Sequence, residues 1–388
     1  MSSPEEQAFR LLTEYANGFM VSQVLFAACE LGVFDLLAEA PEPLGAVAVA
    51  ARLGTSSHGT ELLLDTCVSL KLLQAETRRG KASYQNTELS STYLVRASPK
   101  YQGNMLRYLA RTTYLCWGHL AQAVRDGKNR YPEAFGVPSD ELFTAIYRSE
   151  GERLQFMRAL EDVWSVSGRH VLAAFDLSLF PLICDVGGER WPHRWGCVLG
   201  LVCSLVSPGE GRQLGRHSGS GRKHLHVSLV GCSGALAKQC TSLYPGCQVT
   251  VFDIPEVVQT AKKHFSFLED PRISFCEGDF FKDPLPEADL YILARVLHDW
   301  TDTRCSQLLA RVHRACKPGG GVLVIESLLD ADGRGPRTTQ LYSLNMLVQT
   351  EGRERTPAQY RALLAPAGFQ DVQCRRTGGI YDAILARR

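Results

Sequence analysis

The C-terminal half of the chain alternates short apolar segments with longer amphipathic ones, and most of the apolar segments end beside an acidic residue. The apolar segments have the length of buried strands, and the segments between them have helical spacing. This alternation predicts an α/β fold with a doubly wound parallel sheet that carries helices on both faces. Because ligands bind beyond the carboxyl ends of such strands, we expect a binding site beside the acidic residues. The strands are predicted at 180–188, 248–253, 272–279, 289–295 and 321–326, and the helices around 234–243, 256–267, 302–316 and 356–366.

The N-terminal third has helical spacing without this alternation. Apolar residues recur every three or four positions over 7–39 and again over 62–73, which predicts helices. Gly18 and Gly32 interrupt the first stretch, so we expect more than one helix there. A turn and strand-like residues around Tyr84 follow the second stretch. The outline predicts an α-helical, winged-helix-like unit, for which we favour dimerisation over nucleic-acid binding.

A further amphipathic stretch over 105–124 is rich in tyrosine and leucine. Its spacing predicts one helix. We interpret this helix as part of the core or of a dimer contact rather than of a substrate cleft.

Charge and composition restrict the kind of protein. The 388 residues suit two domains, which we place at 1–105 and 106–388. Forty-two basic against 41 acidic residues offer no basic face for nucleic acid, and no apolar run approaches the ~20 residues that span a membrane. The 13 cysteines are scattered, and the acidic N-terminus lacks a secretory signature. A reduced, cytoplasmic protein is therefore expected.

Three strand ends carry residues that suit S-adenosylmethionine. Asp253 ends the second strand, where a carboxylate hydrogen-bonds a ribose diol, although it also suits a cap for the following helix. Asp279 and Phe280 follow the third strand and suit the edge and the ring of an adenine. His298 follows the fourth strand, beside the expected reaction centre. A nicotinamide enzyme would share the first feature, but the order and spacing of all three favour S-adenosylmethionine.

Six segments carry a further signal, at 16–23, 251–257, 278–281, 297–300, 317–320 and 354–356. They resemble the small-molecule O-methyltransferases of the plant phenolic (caffeic-acid) and animal hydroxyindole type, over nearly the whole chain. The resemblance implies a class I, Rossmann-like methyltransferase domain with S-adenosyl-L-methionine as methyl donor. It also implies a metal-free mechanism, a small-molecule hydroxyindole substrate and a homodimer whose N-terminal helices intertwine.

A histidine suits the chemistry that this family performs. A phenol-type hydroxyl has an ordinary pKa near ~10, so it needs a base to attack at neutral pH. His298 is the candidate general base, because its imidazole titrates near pH 7. Glu326, at the end of the fifth strand, is expected to hold the imidazole tautomer. The resemblance places Glu354 near the same histidine as a second carboxylate.

The resemblance also assigns binding residues. Asn345 and Gln349 lie four positions apart on one expected helix face, so both can reach one polar ligand. With Asp299 they would contact the acetylated indole. For Tyr147 and Trp164, packing in the core is an alternative to cofactor binding. The expected cofactor-binding residues are Tyr147, Trp164, Asp185, Gly187, Asp253, Gly278, Asp279, Phe280 and Arg295.

One block interrupts the expected glycine turn after the first strand. Residues 189–231 are foreign to the pattern, and Asp185 and Asp253 stand 68 positions apart with this block but 25 without it. The shorter separation approaches the ~20 residues typical of such sites, which favours an atypical insert. The block also creates a rival strand at 225–230, and we favour the original strand at 182–186.

Two functions remain open at this point. One is an active O-methyltransferase acting on a hydroxyindole. The alternative is a catalytically impaired, insert-bearing variant that still dimerises and acts as a non-enzymatic partner of normal subunits. The insert lies where the backbone must approach the cofactor closely. We therefore expect weaker binding of S-adenosylmethionine than in a chain without 189–231.

Overall fold

The computed structural model of the protein describes residues 3–78, 80–136, 149–187, 233–265 and 270–388. The inserted block 189–231, the rival strand at 225–230 and Tyr147 therefore lie outside the described residues. The chain forms an N-terminal helical unit with a small sheet and a C-terminal unit built on a large sheet.

The N-terminal unit confirms the winged-helix-like outline. Its small antiparallel sheet has the order β1-β3-β2, and β2 and β3 form the expected hairpin. The first helix stops at Gly32, whose φ of 80° is left-handed, but it runs through Gly18, because an interior glycine costs a helix only about 1 kcal/mol. The elements are α1 Pro4–Leu31, α2 Val33–Glu39, β1 Leu44–Gly45, α3 Ala46–Leu53, α4 Ser57–Ser69, β2 Leu73–Arg78, β3 Lys81–Asn86 and α5 Glu88–Tyr93.

Helix α1 carries large apolar side chains that this chain alone leaves exposed. Between 42% and 69% of the accessible surface of each remains exposed, whereas Ala28 alone in this helix is fully buried. Within the described ranges no single helix has the length and hydropathy of a membrane span. Among the described helices, only α1 and α2 taken together reach that length and hydropathy, and they are bent by 51° relative to each other. The exposed side chains are Phe9, Leu11, Leu12, Tyr15, Phe19, Met20, Val21 and Leu31.

The stretch predicted as one helix over 105–124 is divided into four. A π-helical turn and a break after Trp117 separate the parts, so the expectation of a single regular helix is wrong. The parts are α6 Gly103–Tyr108, the π-helical turn Leu109–Thr113, α7 Tyr114–Trp117 and α8 Leu120–Asp126.

The large sheet confirms the predicted doubly wound class and adds two strands. Its order is β6-β5-β4-β7-β8-β10-β9, with the first five strands mutually parallel and β10 antiparallel to both of its neighbours, β8 and β9. All five predicted strands are present, and β4 lies between β5 and β7 as favoured. The strands are β4 Leu182–Val186, β5 Gln248–Asp253, β6 Ile273–Glu277, β7 Ala288–Ala294, β8 Cys316–Glu326, β9 Gln370–Arg375 and β10 Asp382–Arg387.

Helices cover both faces of this sheet, and the four helices predicted from spacing are all present. Buried apolar side chains of β4, β5, β7, β8 and β10 form the main core with residues of these helices. The carboxyl ends of the parallel strands therefore meet at one edge, where the acidic residues lie. The remaining helices are α9 Tyr131–Phe135, α10 Glu150–Leu172, α11 Ala235–Leu243, α12 Pro255–His264, α13 Asp302–Ala315, α14 Arg337–Gln349 and α15 Pro357–Leu364.

Candidate active site

Five ionisable side chains form a buried cluster at the carboxyl edge of β7 and β8. Arg295 follows β7, Glu326 ends β8, and Glu354 lies in the segment after α14. His298 and Asp299 come from a short 3-10 turn, Leu297–Asp299, after β7. Each of the five is at most 9% exposed, so their charges interact with little screening by water.

The backbone places the cluster at some conformational cost. Arg295 has a φ of 59°, a left-handed conformation that costs a non-glycine residue about 1 kcal/mol or more. This conformation ends β7, and the backbone N–H of Arg295 still donates to the carbonyl of Ile325 in β8, at 2.8 Å. The strained residue therefore turns the chain into the histidine turn while it stays attached to the sheet.

Both ring nitrogens of His298 face charged groups. Nδ1 lies 2.8 Å from Nη2 of Arg295 and 3.1 Å from Oε1 of Glu354. Nε2 lies 3.4 Å from Oδ1 of Asp299. The guanidinium also donates to the two glutamates of the cluster, at 2.7 Å to Glu354 and 3.0 Å to Glu326. The imidazole is therefore fixed between one cation and several anions.

The expected role of Glu326 needs correction. Its Oε1 accepts the backbone N–H groups of Leu297 at 2.9 Å and of His298 at 3.2 Å, and its Oε2 pairs with Arg295. Glu354 is the carboxylate that hydrogen-bonds the imidazole, as the resemblance implied. Glu326 thus positions the backbone of the turn, because a strand end lies directly beneath the N–H groups of that turn.

The charges of the cluster favour the protonated form of His298. Burial and Arg295 lower the pKa of His298, but the three surrounding carboxylates outweigh both, so the pKa lies above its ordinary value. Burial raises the pKa of Asp299 to about 6 and also raises that of Glu326. Burial acts in the same direction on Glu354, but Arg295 and His298 outweigh it and lower the pKa. Of the three carboxylates around the imidazole, Glu354 is therefore the one that ionises most readily.

Three members of the cluster are also spaced as metal ligands. One ligand atom each of His298, Glu326 and Glu354 lies within 4.8 Å of the others. The guanidinium of Arg295, however, already donates to both carboxylates. Arg295 thus provides the positive charge that would otherwise come from a metal ion bound by these ligands. The expectation that the site uses no metal stays a prediction.

A polar network on α14 confirms the expected proximity of Asn345 and Gln349. The amide of Gln349 donates to Oδ1 of Asn345, which also accepts from Nε1 of Trp117 at 2.8 Å. The phenol hydroxyls of Tyr131 and Tyr108 lie 3.3 and 3.5 Å from Oε1 of Gln349. Aromatic and amide groups of this kind suit a flat, polar-substituted ring.

This network corrects the interpretation of 105–124. Tyr108, Thr113 and Trp117 from that stretch all contact the amide side chains of α14. The stretch therefore lines the candidate substrate site, rather than serving only as core or dimer contact. Its tyrosine-rich and tryptophan-containing composition was the available signal.

The acids on the cofactor side lie at the ends of β4 and β5. Asp185 is 2% exposed, and no described residue hydrogen-bonds its Oδ1. Burial raises the pKa of Asp185 to about 8. The backbone N–H of Gly187 donates to the carbonyl of Phe252, at 2.9 Å. Asp253 is fully buried, and its Oδ1 accepts from the backbone N–H of Ile254, at 2.7 Å.

The residues after β6 have protein partners in this structure. Gly278 donates its backbone N–H to the carbonyl of Asp253 at 2.9 Å. Asp279 accepts from the backbone of Phe281 at 2.9 Å and pairs with Lys282 at 2.8 Å. Phe280 is fully buried and packs edge-on against Phe281. Their proposed contacts with an adenine therefore stay predictions.

Two further expected cofactor residues contact other parts of the protein than the ends of β4, β5 and β6. Trp164 of α10 is 2% exposed, and its ring lies 5.6 Å from that of Tyr381, as the core-packing alternative predicted. The guanidinium of Arg295 lies 5.0 Å from the centre of the same tyrosine ring and hydrogen-bonds within the histidine cluster. Cofactor contacts of both residues remain predictions.

Fold and site together define a class I methyltransferase: a doubly wound sheet with a buried histidine and its charged partners at the carboxyl edge. The family model described as the O-methyltransferase domain matches residues 117–190 and 223–370, and the O-methyltransferase dimerisation domain matches 13–96. The chain therefore belongs to the O-methyltransferase family. The unmatched residues 191–222 fall inside the block expected as an insert.

Named relatives and solved structures agree with this assignment. Acetylserotonin O-methyltransferase from Bos taurus is 66% identical over 388 residues, covering all of both chains. The crystal structure of human N-acetylserotonin methyltransferase in complex with SAM has a TM-score of 0.86 and 65% identity, covering 100% of this chain and 99% of that one. Mitomycin 7-O-methyltransferase MmcR, 24% identical with a TM-score of 0.75 over 99% of this chain and 98% of that one, shares the fold. These comparisons give no support to the non-enzymatic alternative.

Proposed function

We propose that the chain transfers a methyl group from S-adenosyl-L-methionine to the 5-hydroxyl of N-acetylserotonin, which gives melatonin. The observation that carries the proposal is the buried imidazole of His298, which lies within hydrogen-bond distance of Glu354. The names of the bovine and human relatives supply the acceptor. The human structure, which was solved in complex with SAM, supplies the methyl donor.

The acids at the ends of β4 and β5 fit this donor. Oδ1 of Asp185 is a buried acceptor that no described residue satisfies, and an unsatisfied buried acceptor costs about 1–3 kcal/mol. A ligand that brings hydroxyl or amino donors to it would remove this cost. When bound, S-adenosylmethionine supplies an electrophilic methyl group on a positively charged sulfur. Asp185, Gly187 and Asp253 are the residues that would hold it.

The acceptor hydroxyl needs a base, and the tautomer of His298 decides whether it can act as one. When Nδ1 carries a proton and donates it to Glu354, Nε2 has a free lone pair and can accept the hydroxyl proton. The negative charge of Glu354 then stabilises the imidazolium that results. The opposite tautomer, with Nδ1 accepting from Arg295, would leave Nε2 protonated and unable to act. Glu354 thus holds the productive state.

The α14 network orients the acceptor. Asn345 and Gln349 present amide groups on one helix face, and Trp117 fixes the amide orientation of Asn345. Hydrogen bonds from these amides to the acetamide of the acceptor would direct its hydroxyl towards Nε2 of His298. Orientation contributes strongly here, because a well-placed nucleophile needs little further activation.

Product analysis tests the proposal. The purified chain is incubated with S-adenosylmethionine and one acceptor, either N-acetylserotonin, serotonin or N-acetyltryptamine, and the products are identified by mass spectrometry. We expect methylation of N-acetylserotonin, slower methylation of serotonin, which lacks the acetyl group, and none of N-acetyltryptamine, which lacks the hydroxyl. Absence of methylated N-acetylserotonin would contradict the proposal.

We propose a homodimer that covers the apolar face of α1. Eight large apolar side chains of this helix are exposed in the single chain, and contiguous exposed apolar surface typically marks an interface. The match to the dimerisation domain agrees. Light scattering should give twice the chain mass for the wild type and the chain mass for a Leu12→Asp/Phe19→Asp variant. A monomeric wild type would contradict the dimer.

We also propose a cytoplasmic location, with the hydroxyindole as partner and neither nucleic acid nor membrane. The described cysteines are all free thiols, which suits a reducing compartment. Fractionation of cells that express the chain should recover it with cytosolic markers, and recovery in the membrane or nuclear fraction would contradict this location.

A further inference from the structure

A fully buried arginine binds the turn that carries the histidine. Arg355 is 0% exposed. Its Nη1 donates to the carbonyl of Leu297 at 2.8 Å, and its Nη2 donates to the carbonyl of Trp300 at 2.6 Å. Its Nε donates to Oδ1 of Asp302 at 2.9 Å. One guanidinium thus joins the two ends of the turn and the start of the next helix, α13.

We propose that Arg355 is a positioning residue for methyl transfer, which holds the turn at 297–300 so that His298 stays in hydrogen-bond contact with Glu354. The proposal rests on the proposed function, since it concerns the base of that reaction. Arg355 itself contacts neither ring nitrogen among its described hydrogen bonds. It acts through the backbone that carries the histidine.

The turn is held on two sides by opposite charges. Glu326 accepts the backbone N–H groups of Leu297 and His298, while Arg355 donates to the carbonyls of Leu297 and Trp300. A buried carboxylate and a buried guanidinium therefore satisfy both the donors and the acceptors of one short turn. Buried backbone groups left without such partners would destabilise the turn.

The same segment delivers the carboxylate that binds the imidazole. Glu354 directly precedes Arg355, so the two side chains reach the histidine and the ends of its turn from one short piece of backbone. A parallel bridge between Leu328 and Arg355, with the N–H of Leu329 donating to the carbonyl of Arg355 at 3.0 Å, fixes this piece to the chain after β8. The separation of Glu354 from His298 is therefore set partly by Arg355.

Lysine cannot reproduce these contacts. A guanidinium presents several N–H donors in a fixed plane, which suits two carbonyls and a carboxylate at once, whereas an ammonium is a single point charge. A loosened turn would displace the base, and a displacement of about 1 Å can cost a reaction on the order of 100-fold.

The chain offers a matched control. Arg353 forms an ion pair with the same Asp302 at 2.8 Å, but its side chain is 50% exposed. Arg353 lies two positions before Arg355. Arg353→Met therefore removes a different arginine from the same carboxylate, and we expect kcat within about twofold of the wild type. Arg355→Met should lower kcat about 100-fold and Arg355→Lys about 10-fold, with the Kd for S-adenosylmethionine unchanged in both.

A direct titration of His298 by NMR separates positioning from general destabilisation and needs no activity. Loss of a positive charge near the imidazole would by itself raise the pKa of His298. Loss of contact with Glu354 would lower it, because that carboxylate favours the charged ring. We expect a lower pKa in Arg355→Met and a smaller decrease in Arg355→Lys.

Each outcome decides between the alternatives. Wild-type kcat in Arg355→Lys or Arg355→Met, or a reduced kcat with an unchanged or raised pKa of His298, would overturn the proposal. If Arg355→Met does not fold, Arg355→Lys, which keeps the charge and the buried stem, carries the same two measurements. If the wild type methylates none of the acceptors, the proposed function fails, and the titration alone still tests the contact of His298 with Glu354.

Discussion

Glu354 and His298 form a buried hydrogen bond, with Oε1 of the glutamate 3.1 Å from Nδ1 of the imidazole. Nη2 of Arg295 lies 2.8 Å from the same nitrogen, so a donor and an acceptor compete for it. The competition is resolved by the protonation state of the ring. Only a ring that donates from Nδ1 leaves Nε2 able to accept a proton from an acceptor hydroxyl.

Glu354→Gln should therefore impair the base without removing it. The pKa of His298 lies above its ordinary value because of the surrounding carboxylates, and loss of one of them should lower it. Since the neutral ring is the active form, kcat should rise with pH through this pKa, and its midpoint should move to lower pH in the variant. We expect kcat at the plateau to fall about 10- to 100-fold. A pH–rate profile of kcat for both proteins measures this, and an unmoved midpoint would argue against the contact.

Glu326→Gln should act mainly on stability. Glu326 is fully buried and pairs with Arg295 at 3.0 Å, and removal of one partner from a buried pair typically costs about 3–5 kcal/mol. Urea unfolding should show a loss of this size. The control Glu287→Gln, at an exposed position before β7, should change the free energy of unfolding by less than about 0.5 kcal/mol, as is usual for a surface substitution. Equal effects of both variants would contradict the assigned role.

Asp185→Asn should change how stability depends on pH. Burial raises the pKa of Asp185 from 3.8 to about 8, so the folded state holds this proton more tightly than the unfolded state. The stabilising contribution is complete below pH 4 and is lost as the pH rises towards 8, by about 1.4 kcal/mol per pH unit at most. Asparagine removes this dependence, so the variant should gain stability relative to the wild type between pH 5 and 8.

Thermal unfolding of wild type, Asp185→Asn and the exposed control Asp332→Asn at several pH values measures the difference. Calorimetric titration with S-adenosylmethionine in two buffers gives a second readout. Donors from the ligand should lower the pKa of Asp185 and release a proton, and the variant should bind more weakly without this release. A wild type with no proton release on binding would count against Asp185 as the ligand acceptor.

Gln349→Ala should weaken acceptor binding more than it slows chemistry. The side chain lies in a network with Asn345, Tyr108 and Tyr131, away from the described contacts of the base. We expect KM for N-acetylserotonin to rise about tenfold and kcat to fall less than threefold. Steady-state kinetics measure both, with Gln373→Ala in exposed β9 as the control. A fall in kcat with an unchanged KM would place Gln349 in a different role.

Much of the fold could be predicted because its signals are local. β4, β5 and β7 are short, buried apolar runs, and such runs are visible in the sequence without knowledge of their partners. β9 and β10 escaped prediction because they follow one another without a helix between them, outside the strand–helix alternation on which the prediction rested. In β9 only Val372 and Cys374 alternate with exposed polar residues, so its strand pattern is short and weak.

The site was predicted less completely, because its decisive contacts join distant parts of the chain. Trp117 and Asn345 are 228 positions apart, and Arg355 reaches back 58 positions to Leu297. Spacing in the sequence gives no information on such pairs. The tautomer role first expected of Glu326 failed for the same reason, since only the folded turn shows which carboxylate meets the backbone and which meets the ring.

The most direct test of the account is a single-turnover measurement on wild type and His298→Gln, with saturating S-adenosylmethionine and N-acetylserotonin at pH 8. A general base contributes about 100- to 10,000-fold to a rate. We therefore predict methyl transfer at least about 100-fold slower in the variant, with an unchanged Kd for S-adenosylmethionine. A transfer rate within threefold of the wild type would contradict the central claim that His298 accepts the proton of the acceptor hydroxyl.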